Sequence, residues 1–350
     1  MSRIKSAYIT LILILTVTYE VDKTYGLTTF KSAMGERGET AQIQTTTLPP
    51  VTTSESVLGE SGETPVRRAG VERSEADVQA GLALLRQQAN CGKSDADRVG
   101  NGVYANLSEF PWMALLIYSD GVERMIKCAG TLIHERYVLT AAHCIQTRGK
   151  RLVSVRLGDH DAETEEDCEG EGDKRKCAPP TQEIDIEEAI YHKDYTHIEY
   201  SNDIGLLRLV NNAVIRTNVR PICLPITQKS RDYSLSHMMT AGWRLKDNRS
   251  KAKILQKATV PIRTIDYCQE IYRASRITHK QICVGGGEYP INICQGDSGG
   301  PLFYIAPYNW DVRYIQYGVA MGSSNVCGSN EPGIYVRVEK YLRWIASNLT

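Results

Sequence analysis

Three short stretches of this chain carry side chains suited to nucleophilic chemistry. The first is Cys294-Gln295-Gly296-Asp297-Ser298-Gly299-Gly300-Pro301. A serine hydroxyl is a weak nucleophile until a base takes its proton and N–H groups receive the charge that develops on the substrate oxygen. Gly296 has no Cβ, so a carbonyl can come close to its N–H. Alone, such a piece reads more readily as a Gly-rich turn with an exposed serine. The second stretch, Leu139-Thr140-Ala141-Ala142-His143-Cys144, puts a histidine at the end of an apolar run. The third, Asn202-Asp203-Ile204-Gly205-Leu206-Leu207, puts a carboxylate at the lip of another. A carboxylate desolvated there needs a partner, and a histidine N–H suits it. The order His, Asp, Ser with long gaps is one of the chain orders of the catalytic triad. The chemistry would be acyl transfer, with Ser298 as nucleophile, His143 as general base and acid, and Asp203 as the group that orients the imidazole.

Elements must exist to bring these three together. From Pro111 onward the sequence alternates short apolar runs with Gly, Pro and Asp: Trp112 to Tyr118, Tyr137 to Ala142, Leu152 to Leu157, Ile204 to Val210, Tyr314 to Ala320. That rhythm predicts an all-β barrel or sandwich rather than βαβ units. Tyr341, Leu342, Trp344, Ile345 and Leu349 repeat at helical spacing and predict a C-terminal helix. With 42% hydrophobic residues in 350 the chain can bury a large core, and 41 basic against 41 acidic side chains give no electrostatic case for nucleic acid or an anionic membrane.

The first residues carry Arg3 and Lys5 and no acid, followed by an apolar run from Ala7 to Thr18. The run is short for a bilayer span and predicts a signal peptide over 1–26, with an uncleaved anchor as the alternative. Residues 27–98 are rich in Thr, Ser, Glu, Gly and Pro up to Asn90, a composition that predicts a disordered pro-segment. Val78, Leu82, Leu84 and Leu85 allow one short helix there. Arg98-Val99 in an exposed-looking loop reads as a processing site, or as an ordinary linker arginine. Residues 99–350 then form the catalytic domain. Ten cysteines in a secreted chain predict a disulfide framework. Sequons at Asn106, Asn248 and Asn348 are candidate glycan acceptors. None of the seven histidines has zinc-motif spacing.

On these motifs, residues from Arg98 to the C-terminus resemble a trypsin-like (chymotrypsin-fold) serine endopeptidase. Glu165-Glu166-Asp167-Cys168, Lys176-Cys177-Ala178-Pro179-Pro180, Pro221-Ile222-Cys223-Leu224-Pro225-Ile226 and Cys283-Val284-Gly285-Gly286-Gly287 narrow the likeness to the secreted proteases of arthropod immune cascades that carry an N-terminal CLIP domain. The six cysteines of a CLIP module are absent from the pro-segment. The resemblance implies two six-stranded antiparallel β-barrels with a C-terminal helix and an active site between them. It implies an oxyanion hole from the N–H groups of Gly296 and Ser298. It implies the disulfides Cys91–Cys223, Cys128–Cys144, Cys168–Cys177, Cys268–Cys283 and Cys294–Cys327, the first tethering a light chain after cleavage. Activation would free an ammonium on Val99 that pairs with buried Asp297. The partners implied are a protein substrate such as a downstream zymogen, an upstream activating protease and a serpin-type inhibitor. No cofactor is needed for catalysis. The loop Asp159 to Asp167 matches a calcium loop of relatives, with Asp159, Thr164, Asp167 and the backbone oxygen of Asp161 as ligands; the alternative is a solvated acidic loop.

Four positions depart from the family's pattern. Asn292 stands six residues before Ser298, where proteases that cut after Arg or Lys have an aspartate, and Ile293 follows it. A lone buried cation is costly, so an uncharged or apolar P1 side chain is expected, entering past Gly322 and Gly333. Met321 replaces a flat aromatic wall, and Ala320 has no hydroxyl to offer Asp203. These departures keep a rival reading open, a catalytically weak homologue that acts as a binding or adaptor protein. A digestive enzyme fits less well with a tethered pro-segment.

Overall fold

The computed structural model describes residues 64–70, 73–94, 103–196, 201–231, 235–243, 254–273, 275–287, 297–322 and 330–349. The chain first forms strand β1 (Val66–Ala69) and helix α1 (Glu75–Arg86). It continues through β2 (Met113–Ser119), β3 (Arg124–His134), β4 (Tyr137–Thr140) and the one-turn helix α2 (Ala142–Ile145). Next come β5 (Arg151–Leu157), the small ribbon β6 (Cys168–Glu169) and β7 (Lys176–Cys177), β8 (Gln182–His192) and β9 (Gly205–Leu209). After α3 (Gln228–Arg231) follow β10 (His237–Gly242), β11 (Gln256–Arg263), α4 (Ile265–Ile271) and β12 (Gln281–Val284). The chain closes with β13 (Pro301–Tyr308), β14 (Asp311–Gly322), β15 (Gly333–Arg337) and α5 (Leu342–Ser347).

Each apolar run picked out by its turn punctuation lies in or over a strand, and the strands close into the two expected barrels. In the first, β8-β5-β2-β3-β4-β9 is antiparallel and returns to β8; in the second, β10-β11-β12-β15-β14-β13 closes on itself. The seam between barrels is aromatic. Phe110 meets Phe303 edge-on at 5.0 Å and Trp112 meets Phe303 at 5.5 Å. Beside it the Cys91–Cys223 bond ties the N-terminal segment down, with Gly92 N–H donating to Pro221 O (2.8 Å) and Tyr314 N–H to Gly92 O (3.0 Å). Gly92 has φ 65°, and a Cβ there would lie 2.3 Å from Tyr314 O, so only glycine fits.

Residues 64–70 and 73–94 differ from the expectation of a disordered segment over 27–98. β5 pairs with β8 only through Asp185, and further along β8 the strand β1 adds in parallel, Val66 opposite Ala189 and Ala69 opposite His192. An open sheet edge of this kind is a template for another strand. Arg67 pairs with Glu188 at 2.6 Å and donates to Asn348 Oδ1 at 3.2 Å; Trp344 Nε1 donates to Ala69 O at 2.8 Å. The helix allowed by Val78, Leu82, Leu84 and Leu85 is α1. Ser74 and Asp77 form its capping box, satisfying N–H groups that the helix start leaves open. Its face Val78, Gly81, Leu85 is buried, and Gly81 lies against the backbone of α5 at Ala346. Composition misled because it counts only what a segment can bury within itself. This segment buries its few apolar side chains on a surface that the barrels have already built.

Candidate active site

The carboxylate is placed by an unusual backbone. Asn202 has φ 54°, a left-handed conformation that asparagine tolerates better than most residues. Its Nδ2 donates to Asp194 O (2.8 Å) and its Oδ1 accepts the Tyr341 hydroxyl (2.9 Å). The next residue, Asp203, is fully buried. β4 and β9 pair with Thr140 opposite Gly205, which puts the start of α2 over Asp203. The His143 N–H then donates to Asp203 Oδ1 at 2.9 Å, and His143 Nδ1 lies 2.7 Å from Asp203 Oδ2. Both carboxylate oxygens therefore hold one residue, and the imidazole cannot turn without losing a bond. Burial pushes the His143 pKa down, but the Asp203 charge and its hydrogen bond outweigh that and leave it raised. Tyr341 feels the same charge: burial first, then Asp203, push its hydroxyl above the usual phenol range.

The serine sits on a turn held from both barrels. Ala129 N–H of β3 donates to Ser298 O (2.8 Å), Gly299 N–H to Ala320 O (2.9 Å), Ala320 N–H to Gly300 O (2.9 Å) and Gly300 N–H to Asp297 O (2.8 Å). Gly299 has φ +79°, and a Cβ there would meet Thr140 Oγ1 at 2.2 Å and Ala129 O at 2.4 Å. The turn thus presses its backbone into the strand that leads to His143. The Cys128–Cys144 bond ties β3, which holds the serine turn, to α2, which carries His143. Cys144 Sγ lies 3.6 Å from His143 Nε2 and 3.6 Å from Ser298 O.

Asp297 is buried, with its carboxylate against Gly242, where a Cβ would lie 2.0 Å from Oδ1. Arg98, Val99 and Gly296 lie outside the described residues. The chain that follows them is fixed. Lys257 N–H donates to Val103 O (2.8 Å) and Ala105 N–H to Leu255 O (2.9 Å). Beneath, Lys257 Nζ lies 2.7 and 2.6 Å from the two Glu109 carboxylate oxygens in a buried pair. Of the pocket residues, Met321 is the extra residue of a β-bulge between Ala320–Tyr335 and Gly322–Ile334, half-buried, and Gly333 opens β15 opposite Val284. Asn292 and Ile293 lie outside the described residues.

Four of the five disulfides implied by resemblance are formed: Cys91–Cys223, Cys128–Cys144, Cys168–Cys177 and Cys268–Cys283; Cys294 and Cys327 lie outside the described residues. In the acidic loop, Asp167 accepts the N–H groups of His160 (2.8 Å) and Asp161 (2.9 Å) and the Thr164 hydroxyl (3.1 Å). Asp159 is buried beside it. Its Oδ2 lies 3.4 Å from Arg156, and its Oδ1 has no hydrogen-bond partner. Burial, then the Asp167 charge, push the Asp159 carboxyl up to about 6. Among the sequons, Asn106 is exposed and Asn248 lies outside the described residues. Asn348 is a correction: it is buried and its Nδ2 donates to Trp344 O (2.8 Å), so the folded chain presents no acceptor amide there.

Sequence reasoning missed Asn202, Tyr341, Thr140 and Ala129, which position the three candidate residues. Asn202 carried a faint signal as a residue tolerant of positive φ next to the carboxylate. The others read only as apolar or strand positions.

The family model described as Trypsin matches residues 99–345. Serine protease grass of Drosophila melanogaster is 38% identical over 265 residues, covering 74% of this chain and 70% of that protein. CLIP domain-containing serine protease B9 of Anopheles gambiae is 39% identical, covering 78% and 69%. Spaetzle-processing enzyme of Drosophila melanogaster is 37% identical, covering 74% and 68%. Among solved structures, the Drosophila Grass clip serine protease of the Toll pathway superposes with a TM-score of 0.69 at 36% identity, covering 76% of each chain.

Proposed function

This chain belongs to the trypsin family, and from that premise we propose that it is a secreted serine endopeptidase zymogen, activated by cleavage after Arg98, which acts by limited proteolysis in an extracellular protease cascade. The observation that carries the reading is the two-point hold of Asp203 on His143, at 2.9 Å and 2.7 Å, with Cys144 Sγ against both His143 Nε2 and the Ser298 backbone. In this reading Ser298 Oγ attacks the scissile carbonyl carbon while His143 Nε2 takes its proton. Asp203 accepts the Nδ1–H and stabilises the imidazolium that results. The tetrahedral oxyanion accepts the N–H groups of Gly296 and Ser298, each such donor being worth about 10²–10³ in rate. The intermediate collapses, the C–N bond breaks, and the amine leaves with the proton from His143. Water then enters, gives a proton to His143, and its oxygen releases the acid from Ser298 by the same route.

The names of the relatives support a protein substrate and a place among proteases that act on other proteins. No helix among the described residues is long and apolar enough to cross a membrane. The test is labelling of Ser298 by a fluorophosphonate probe after cleavage at Arg98. Labelling lost in Ser298→Ala and in an Arg98→Gln chain treated with a trypsin-like protease is expected; labelling of uncleavable Arg98→Gln would overturn the activation step. The rival reading, a binding homologue, draws on buried Ala320, which offers no hydroxyl near the turn. Absence of Ser298-dependent labelling in cleaved protein would favour it.

Calcium belongs to the same proposal. Asp159 and Asp167 face each other buried, and Asp159 Oδ1 is unsatisfied, which suits a hard cation. Asp159, Asp167, the Thr164 hydroxyl and the Asp161 carbonyl would hold the ion and relieve the repulsion. The raised carboxyl favours the fold below pH 4 and costs stability as pH rises through about 6. A melting temperature that rises with calcium at pH 7.5, and does so less at pH 5, is expected; no shift at either pH would refute the site.

A further inference from the structure

The leaving half of a peptide substrate must lie over His143 Nε2, because that nitrogen delivers the proton to the departing amine. Nε2 is 3.6 Å from Cys144 Sγ, so this half runs over the Cys128–Cys144 bond. The residue before Cys128 is Lys127. It is the extra residue of a β-bulge in β3: Leu116 faces Cys128, Ile117 faces Ile126, and nothing faces Lys127. A bulge re-aims one side chain, and bulges recur beside active sites. The Lys127 ammonium lies 5.9 Å from the ring centre of Tyr118, whose hydroxyl donates to Cys144 O at 2.7 Å. The charge therefore stands next to the helix that carries His143.

A second cation joins it. Lys150 ends the loop that leaves α2, and its Nζ rests against Met125 Sδ, two residues from Lys127. Partial desolvation, then the Lys150 charge, lower the Lys127 pKa. Neither lysine has an ion-pair partner within salt-bridge range among the described residues. The acid nearest in effect is Asp120. It is occupied by the N–H groups of Glu123 and Val122, and Lys150 acts on it only at longer range. Arg148 is exposed on the same loop. Two like charges close enough to act on each other, with no salt bridge to an acid among the described residues, cost free energy in the empty enzyme, and an anion placed between them recovers it.

We propose that Lys127 and Lys150 form a specificity site on the leaving side of the cleft that selects an acidic side chain just C-terminal to the scissile bond. This rests on the serine endopeptidase reading and adds to it a substrate class: proteins whose cleavage site is followed within two or three residues by Asp or Glu. The expected preference is modest, because exposed ion pairs are worth little each. Two of them give roughly three- to tenfold in kcat/KM, falling as salt screens them.

The test uses the full chain cleaved after Arg98 and internally quenched peptide mixtures of varied P1 residue. The mixtures differ only in carrying Glu, Gln or Lys at the second leaving-side position. The order Glu, Gln, Lys is expected, with the Glu/Gln ratio of kcat/KM near one in Lys127→Ala/Lys150→Ala and inverted in Lys127→Glu. Taking the ratio within each variant cancels differences in active fraction. Equal cleavage of Glu and Gln mixtures by enzyme whose Ser298 takes up fluorophosphonate would overturn this inference alone, as would a Glu preference that survives in the double variant. If Ser298 is not labelled and nothing is cleaved, both the endopeptidase reading and the site fall.

Discussion

Replacing Gly81 with leucine should loosen the N-terminal segment from the barrels even though it makes α1 a better helix. In isolation the change favours the helix by about 0.8–1 kcal/mol, because glycine is among the poorest helix formers. In the fold, a Cβ on residue 81 would lie 1.9 Å from Ala346 O and 2.6 Å from Ala346 C, both rigid backbone atoms of α5. Helix α1 must therefore back away by more than 1 Å, and a gap of that size forfeits a quarter to a half of each contact's attraction. A leucine side chain needs more room, so the face made by Val78 (0% exposed) and Leu85 (4% exposed) loses its seat. Fully buried aliphatic side chains contribute about 1.5–3 kcal/mol each. Losing most of two, less the gain in propensity, leaves a net cost of about 2–4 kcal/mol. Amide hydrogen exchange over residues 78–86 reads this as local opening. Exchange should accelerate on the order of a hundredfold, while amides of β2 and β3 keep their rates. Unchanged or slower exchange in α1 would refute the packing of Gly81 on Ala346.

Other consequences of the geometry can be checked separately. The acid limb of a kcat/KM profile should report a His143 pKa above that of a free imidazole, because the base must be neutral; Asp203→Asn should lower both that midpoint and the plateau, and an unmoved midpoint would show that the 2.7 Å contact does not govern the imidazole. Gly299→Ala, with its Cβ 2.2 Å from Thr140 Oγ1 and a φ of +79°, should displace Ser298 and slow fluorophosphonate labelling by about 10²-fold or more, measured against a melting curve that shows the fold retained. Lys257→Met should cost about 3–5 kcal/mol at neutral pH, since it strands the buried Glu109 carboxylate. Urea titrations of the variant beside the parent chain at pH 7.5 would show it.

What could be read in the sequence was whatever local chemistry dictates. Gly296 to Gly300, the apolar run into His143 and the run out of Asp203 each state their role within a few residues, and the turn-punctuated runs state the barrels. Unreadable features depend on a surface made elsewhere. β1 has no alternation of its own; it is fixed by backbone bonds to Ala189 through His192 and by Arg67 reaching Glu188 and Asn348. Gly81 reads as a flaw in a helix until α5, more than two hundred residues away, is seen to need the space. The bulges at Lys127 and Met321 are equally silent, because an extra residue in a strand leaves composition unchanged and only shifts which side chains share a face.

The proposed activation would make residues 27–98 a light chain held by more than one bond. Under the proposed cleavage after Arg98, the part ending there would stay joined to the rest through Cys91–Cys223, yet the disulfide is not the only hold. β1 on β8, Trp344 on Ala69 O, Arg343 on Glu75 at 2.7 Å and the seat of α1 on α5 each join a residue upstream of Arg98 to one downstream of it. Residues 64–70 and 73–94 hold enough complementary surface to dock on the barrels. Their ordering entropy is offset by burial on a scaffold already folded rather than by a core of their own. That is why a composition suited to disorder and a docked strand and helix can belong to the same stretch of chain.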